Sequence, residues 1–369
     1  MRRTIQLAAL VLFALVLIGV LLVGGLFIIS DGDPITYIQT SIIRFSLGAR
    51  EAELAMTVST DTSPVRFTVN SGDNPRAIAE NLVVSRLITN ADLFVDYVRA
   101  YQLDTRLEAG TYFLTQAQTI PQIAEMLTDS SSGQFAFRIL EGWRIEEIAA
   151  IIEQSGYFGF SGADFLRVVG IGAQIDPAFA QWAGIPAGAS LEGFLFPDTY
   201  QLPASVTPDY LTEVLLENFR SRANVARIPE LAAANGLTIY EAVTLASIIQ
   251  REAVHEDEHP MISSVYRNRL AIGMKLDADP TVQYALGFDG STWWQRITQA
   301  DYTTAVSPYN TYLNIGLPPG PIASPGISAI QAALQPAVSD YLYFQARCTG
   351  DGYHNFAETF DEHLANSCF

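Results

Sequence analysis

The sequence predicts an α+β protein tethered by a single N-terminal transmembrane helix, and three observations lead there. From Thr4 to Ser30 no charged residue occurs. Residues 65–127 then alternate short strand-like and helix-like segments. Beyond residue 134, amphipathic helical spacing alternates with Gly- and Pro-punctuated loops and a few short strands.

At 369 residues, 49% hydrophobic and 16% charged, the chain has material for two or three domains. A formal net charge of −18 argues against nucleic acid as a partner, because polyanions are bound by basic patches.

Taken in order, Ile5–Ile29 is almost wholly apolar, long enough to cross about 30 Å of hydrocarbon as a helix. Arg2 and Arg3 precede it and Asp31 and Asp33 follow. The positive-inside rule therefore puts residues 1–4 in the cytoplasm, residues 5–29 across the plasma membrane and the remaining chain outside. A cleaved signal peptide is the rival, but its apolar core is shorter, roughly 7–15 residues, and ends in a small-x-small site. Gly24-Gly25-Leu26-Phe27-Ile28-Ile29 offers no clean one. Residues 30–64 read as a tether in which Ile35–Leu54 can form a juxtamembrane helix and Thr57–Pro64 is turn-rich.

A compact module follows over residues 65–133. Phe67-Thr68-Val69 alternates like a strand, Ser71-Gly72-Asp73 is a turn, and Ala77–Val84 has helical spacing. A second helix, Asn90–Tyr101, is capped by Asn90. Gly110–Leu114 is a returning strand and Ile120–Leu127 a closing helix. This order resembles LysM domains, which hold glycan between a loop and a helix, although many small α+β domains share it.

Laid against itself, the chain repeats part of this pattern. Phe67-x-Val69-x-x-Gly72 matches Phe137-x-Ile139-x-x-Gly142, and Ile78-Ala79 matches Ile148-Ala149. Residues 134–170 therefore read as a second strand-turn-helix-helix unit, reached through Ser130–Gly133 and opening a larger α+β domain over 134–369. There, Leu191–Tyr200 is aromatic, carries two carboxylates and reads either as a cleft wall or as a plain turn between helices. Thr207–Arg222 is a helix.

Thr238–Glu252 is the most informative helix. Thr238 followed by Glu241 makes a capping box, and Glu252 lies seven, four and three residues after Leu245, Ile248 and Ile249, on the same apolar face. A carboxyl there is partly desolvated, which suits it to proton donation near neutral pH. The plain alternative is a helix-end Glu paired with a nearby arginine.

His255-Glu256-x-x-His259 matches the H-E-x-x-H zinc pattern in letters. Its acidic flanks and Pro260 argue instead for a chain break and a new helix over Met261–Ile272. With two cysteines and four histidines in the chain, there is little material for a metal site. Two readings fit Cys348 and Cys368: a disulfide closing the C-terminus, or two free thiols. Toward the end, Leu276–Tyr284 starts as an Asp-Pro turn and becomes helical, and Gly316–Ile322 is a proline-locked loop suited to a preformed binding surface. Ile327–Leu334 is a helix, Tyr341–Phe344 and His354–Phe356 are strands, and a helix capped by Thr359 closes the chain.

In this order the motifs resemble the YceG-like endolytic murein transglycosylases. The strings that carry the resemblance are Glu192-Gly193 through Pro197-Asp198-Thr199-Tyr200, Leu245–Ile249 with Glu252, Asn268-Arg269-Leu270, Asp279–Tyr284, Tyr309–Tyr312 and Gly316–Ile322. Phe356 and Glu362-His363 also fit, so the resemblance covers about residues 65–365. One departure is Gln250, where many relatives carry an acid.

The resemblance implies Glu252 as catalytic acid/base, no cofactor, and an extracytoplasmic enzyme cutting nascent peptidoglycan strands beside penicillin-binding proteins. Glu192, then Asp198, is the best second carboxylate. Substrate contacts are expected from Glu192, Asp198, Tyr200, Asn268, Asp279, Gln283, Tyr309, Asn310 and Tyr312. Retaining hydrolases need a carboxylate nucleophile about 5 Å from the acid. Lytic transglycosylases as a class instead use the sugar's own C6 hydroxyl, ending in a 1,6-anhydro sugar. A non-catalytic glycan-binding scaffold and, more remotely, a zinc peptidase are the alternatives.

Overall fold

The computed structural model describes residues 32–368 and, before them, residues 17, 19, 20, 24, 25 and 27–30. The span expected over 5–29 lies largely outside the described residues. Among those described, no single helix is long and apolar enough to cross a membrane. Among the described residues the architecture is mixed: helices and three two-stranded sheets, divided between two compact units that meet in sequence at Gln134/Phe135.

In the first unit, helix α1 (Pro34–Gly48) starts at an Asp33 cap, and a separate turn, Glu51–Leu54, follows where a single continuous helix was expected. Arg44 Nε donates to Ala100 O at 2.8 Å and Leu47 is buried, which fixes one face of α1. Ile35, Ile38, Ile42 and Phe45 recur at helical spacing and are exposed. Strand β1 (Val65–Val69) pairs antiparallel with β2 (Gly110–Leu114), Phe67 opposite Tyr112. Between them run α2 (Pro75–Val84), capped by Asn74, and α3 (Ala91–Ala100), capped by Asn90. A Thr119/Gln122 capping box opens α4 (Ile120–Met126). Phe67, Ile78, Leu82, Phe94, Val98 and Tyr112 form the core, each at a position where strand or helix period points inward.

The second unit opens with the same order of elements. Strand β3 (Gln134–Arg138) is followed by α5 (Ile145–Ser155) and α6 (Gly162–Val169), then α7 (Pro177–Ala183), and β4 (Thr199–Pro203) returns to pair with β3. Beyond it come α8 (Pro208–Val225), α9 (Ile228–Ala234) and α10 (Ile239–Glu252). From Ile239 to Ile249 every residue of α10 except Glu241 is buried, so this helix is a core rod rather than a one-faced amphipathic helix.

Several groups pack against α10. Helix α13 (Ile327–Leu334) lies along it. The proline-locked loop docks on it through Tyr240 Oη donating to Pro319 O at 3.1 Å and Ile322 N donating to Ser247 Oγ at 3.0 Å. Leu191–Phe196 packs in from the other motif, with Phe194 stacked on Tyr240 at 6.0 Å. Leu191–Phe196, which reads either as a cleft wall or as a plain turn, and the proline-locked loop, expected to offer a binding surface, thus both pack against the core helix. Their aromatic and proline content serves packing.

Helices α11 (His259–Ala271) and α12 (Asp279–Leu286) follow, then α13 and the antiparallel hairpin of β5 (Tyr343–Ala346) and β6 (His354–Ala357). The strand expected from Tyr341 begins at Tyr343, because side chains of Asn268 and Arg269 take the carbonyls of Ser339, Tyr341 and Leu342. Helix α14 (Phe360–Ala365) carries the Thr359/Glu362 capping box, and Cys348 and Cys368 are joined as a disulfide.

Candidate active site

Glu252 is the last residue of α10, and Ala253 turns extended immediately after it. The helix end therefore delivers its carboxyl to the rim of the core. There it lines a pocket of about 520 Å³ together with Arg269, Asp277, Asp279, Tyr302, Tyr312 and residues of the C-terminal hairpin. Glu252 is half-buried at this pocket and closely surrounded by protein. Burial pushes its pKa up to about 7, and the nearby Asp279 charge acts in the same direction.

Tyr266, fully buried on α11, opposes that shift. Its hydroxyl donates to Glu252 Oε1 at 2.5 Å. Burial, reinforced by Glu252, holds the Tyr266 phenol well above its ordinary range, so it remains a donor. Arg269 also favours the ionised carboxylate. Glu252 is thus poised between its two protonation states near neutrality, which a group that must first give and then take a proton requires. Tyr266→Phe is expected to raise the Glu252 pKa above about 7 by removing a donor that favours the anion. The alkaline limb of a pH–rate profile should move to higher pH, with lower turnover on the plateau.

Across the pocket, Tyr312 Oη donates to Asp279 Oδ1 at 2.7 Å, and its ring stacks on Tyr302 at 4.1 Å. Asn310 shapes that loop. Its amide nitrogen donates to Tyr302 O and Ala305 O, and its oxygen accepts from Tyr312 N, so it carries the two rings into place. Asn268 acts similarly on the other side by binding the chain that leads into β5, whereas its neighbour Arg269 lines the pocket.

Of the expected site residues, Glu252, Asp279 and Tyr312 line this pocket; the others lie elsewhere. Glu192 is buried behind the start of α5, where Ile145 N donates to Oε2 at 3.3 Å and Oε1 has no protein partner. Burial pushes its pKa up to about 8, aided by Glu146 and offset by Arg144. Arg144 lies against Tyr284 at 4.1 Å and Trp293 at 4.8 Å, and Tyr309 packs on Tyr284. Asp198 binds Asn218 and Arg222, Tyr200 Oη donates to Phe196 O, and Gln283 Nε2 donates to Gln295 O. The second carboxylate in the pocket with Glu252 is therefore Asp279, with Asp277 beside it. Glu192 is not there because Gly193 draws its segment into the core.

Gln250 has a structural role. Its amide oxygen accepts from Gly326 N at 2.8 Å, and its side chain hydrogen-bonds Glu141, whose pKa is raised by burial and by Glu256. An acid at position 250 would set a second carboxylate against Glu141.

The zinc-like string is not a zinc helix. His255 precedes a short 3₁₀ turn over Glu256–Glu258 and stacks on Tyr353 at 4.0 Å, while His259 begins α11 and meets Ser328 Oγ. Glu258 pairs with His354 at 2.9 Å. Two ligands one turn apart on a single helix, as that pattern needs, are absent here.

A family model described as the YceG-like family matches residues 67–368. An endolytic murein transglycosylase of Bacillus subtilis (strain 168) is 32% identical over 308 residues, covering 81% of this chain and 82% of that protein. One from Streptococcus pneumoniae serotype 2 is 28% identical over 320 residues, covering 82% of this chain and 57% of that longer protein. The crystal structure of a yceG-like protein from Listeria monocytogenes superposes with a TM-score of 0.55 at 31% identity, covering 83% of this chain and all of that one.

Proposed function

The chain belongs to the YceG-like family, and from that premise we propose that it is an endolytic murein transglycosylase, a lyase that cuts peptidoglycan glycan strands internally. The observation that carries this reading is Glu252: a carboxyl at a pocket wall, held by Tyr266, with its pKa lifted to about 7.

Protonated Glu252 donates to the glycosidic oxygen as the bond from muramyl C1 breaks. The C6 hydroxyl of the same sugar attacks C1, and Glu252, now ionised, takes the hydroxyl proton. One C–O bond breaks, one forms, the proton count of the enzyme is unchanged, and no water enters. Intramolecular attack supplies the proximity that a bound nucleophile would otherwise need. Asp279, positioned by Tyr312, adds negative charge beside the positively charged ring of the transition state. Tyr302 and Tyr312 offer faces on which a sugar can stack.

Membrane anchoring is part of the same proposal. It is supported by the uncharged run over Thr4–Ser30 and by the exposed Ile35, Ile38, Ile42 and Phe45 stripe of α1, which suits a helix lying at a lipid surface. An N-terminus in the cytoplasm and a catalytic domain outside the plasma membrane follow from Arg2 and Arg3. Tethering concentrates the enzyme at membrane-attached strands and at the penicillin-binding proteins that extend them. The β1-α2-α3-β2 module is proposed to hold glycan in the manner of LysM domains, on the strength of its element order.

A catalytically silent glycan-binding scaffold is the competing reading. It gives no reason to bury Glu252 beside Tyr266 and Asp279. Size analysis of products separates endolytic from end-directed cutting: early products several disaccharides long support the proposal, and successive release of single disaccharides from strand ends overturns it.

A further inference from the structure

The C-terminal half of α1 is docked on the first unit: Leu47 is buried, Ile43 packs against the core, and Arg44 Nε donates to Ala100 O at 2.8 Å. Its N-terminal half, through Thr36, Gln39 and Thr40, lines a cleft of about 750 Å³ that Arg99 and Asp104 line with it. The turn that ends α3 sets those two charges side by side. Gln102 takes a left-handed φ of +57°, and Leu103 N at 2.8 Å and Asp104 N at 3.3 Å both donate to Val98 O, the carbonyl next to Arg99. Arg99 is exposed and Asp104 half-buried, and neither side chain has an ion pair or hydrogen bond among the described residues. One cation and one anion therefore face the same cleft without neutralising each other.

Such a cleft matches a small zwitterion that also takes hydrogen bonds. The exposed apolar stripe of Ile35, Ile38, Ile42 and Phe45 runs beside it on the same helix, and Ile42 belongs to both. A molecule that satisfies the two surfaces together has a zwitterionic head and apolar chains. Helix α1 begins four residues after the uncharged run ends at Ser30, so in an anchored chain the cleft stands at the level of lipid headgroups. A net charge of −18 disfavours a headgroup that is only anionic.

We propose that this cleft is a headgroup site for a phospholipid of the phosphoethanolamine class. The Arg99 guanidinium binds the phosphate, Asp104 accepts from the primary ammonium, and Thr36 and Gln39 offer hydrogen bonds to the phosphate and ester oxygens. The acyl chains lie along the apolar stripe. The inference rests on the membrane-anchoring reading and adds the lipid that α1 selects.

The test is native mass spectrometry of the full-length protein in detergent, titrated with phosphatidylethanolamine, phosphatidylcholine and phosphatidylglycerol of identical acyl chains, together with flotation on vesicles of each lipid. Phosphatidylethanolamine is expected to bind about tenfold more tightly than the other two, the scale of a charge-assisted hydrogen bond at a partly exposed site. A quaternary ammonium cannot donate to Asp104, and a glycerol headgroup carries no cation. Asp104→Asn should abolish the preference for phosphatidylethanolamine over phosphatidylcholine and leave phosphatidylcholine binding unchanged. Arg99→Gln should weaken both by a similar factor. An unchanged melting temperature shows that the fold of each variant is intact. Flotation with equal affinity for the three lipids, or a preference kept in both variants, overturns the headgroup site and leaves anchoring standing. Binding of free glycerophosphoethanolamine as tightly as the intact lipid, or self-association in place of lipid uptake, also overturns it. Failure to float with any vesicle overturns the anchoring reading, and the site with it.

Discussion

Glu252→Gln is expected to lower strand cleavage by about a thousandfold while leaving the fold intact, since a positioned general acid contributes roughly 10²–10⁴ in rate. The amide is isosteric and its oxygen still accepts from Tyr266 Oη, so the contact at 2.5 Å in the unmodified protein survives. What is lost is the proton. A carboxamide can neither protonate a leaving oxygen nor take a proton from the C6 hydroxyl, so both halves of the reaction fail. Turnover should fall, and glycan should still bind with similar affinity. Initial rates and pull-down of insoluble glycan, measured on one preparation, check both statements.

Gly193→Ala carries the largest expected cost in stability. Gly193 sits at φ +85° between α10 and the proline-locked loop, and an added Cβ would come 2.5 Å from Pro321 Cβ and 2.8 Å from Val243 Cγ1. Neither neighbour is the tip of a flexible chain. Left-handed backbone costs an L residue roughly 1–2 kcal/mol, and overpacking a tight core about 1–3 kcal/mol more. The sum, about 2–5 kcal/mol, corresponds to a fall of roughly 5–15 °C in melting temperature for a unit of this size. Thermal unfolding followed by circular dichroism reads it directly. Because Val243 lies on α10 and Pro321 on the loop that seats it, activity should fall with stability.

Local structure was largely legible in the residues. Asn90, the Thr238/Glu241 box and the Thr359/Glu362 box each mark a helix start that the structure contains, because capping is settled within four residues. The partner of β3 was not legible. Strand β4 lies some sixty residues away, and nothing in the local pattern of either names the other.

The site divides the same way. Glu252 could be found because its position on the helix and the motif around it agree. Asp279 and Tyr312 came from ordered strings and lie in the pocket. Glu192 is expected as the second carboxylate from the motif shared with the family, whereas the structure places it away from the Glu252 pocket, in a loop whose glycine admits two neighbours at close range. Tyr266 gave no signal, because its role depends on how α11 crosses the end of α10. The wall built by β5 and β6 is brought to Glu252 by the fold over about a hundred residues of chain, and its place beside that carboxyl is visible only in three dimensions.

The central claim is that Glu252 alone supplies both proton transfers and that the sugar supplies its own nucleophile. Mass analysis of glycan strands digested by the unmodified protein and by Glu252→Gln tests it most directly. The expected result is 1,6-anhydro-muramyl termini in the first digest and none in the second. Reducing ends without anhydro termini, or equal strand release by Glu252→Gln, would contradict it.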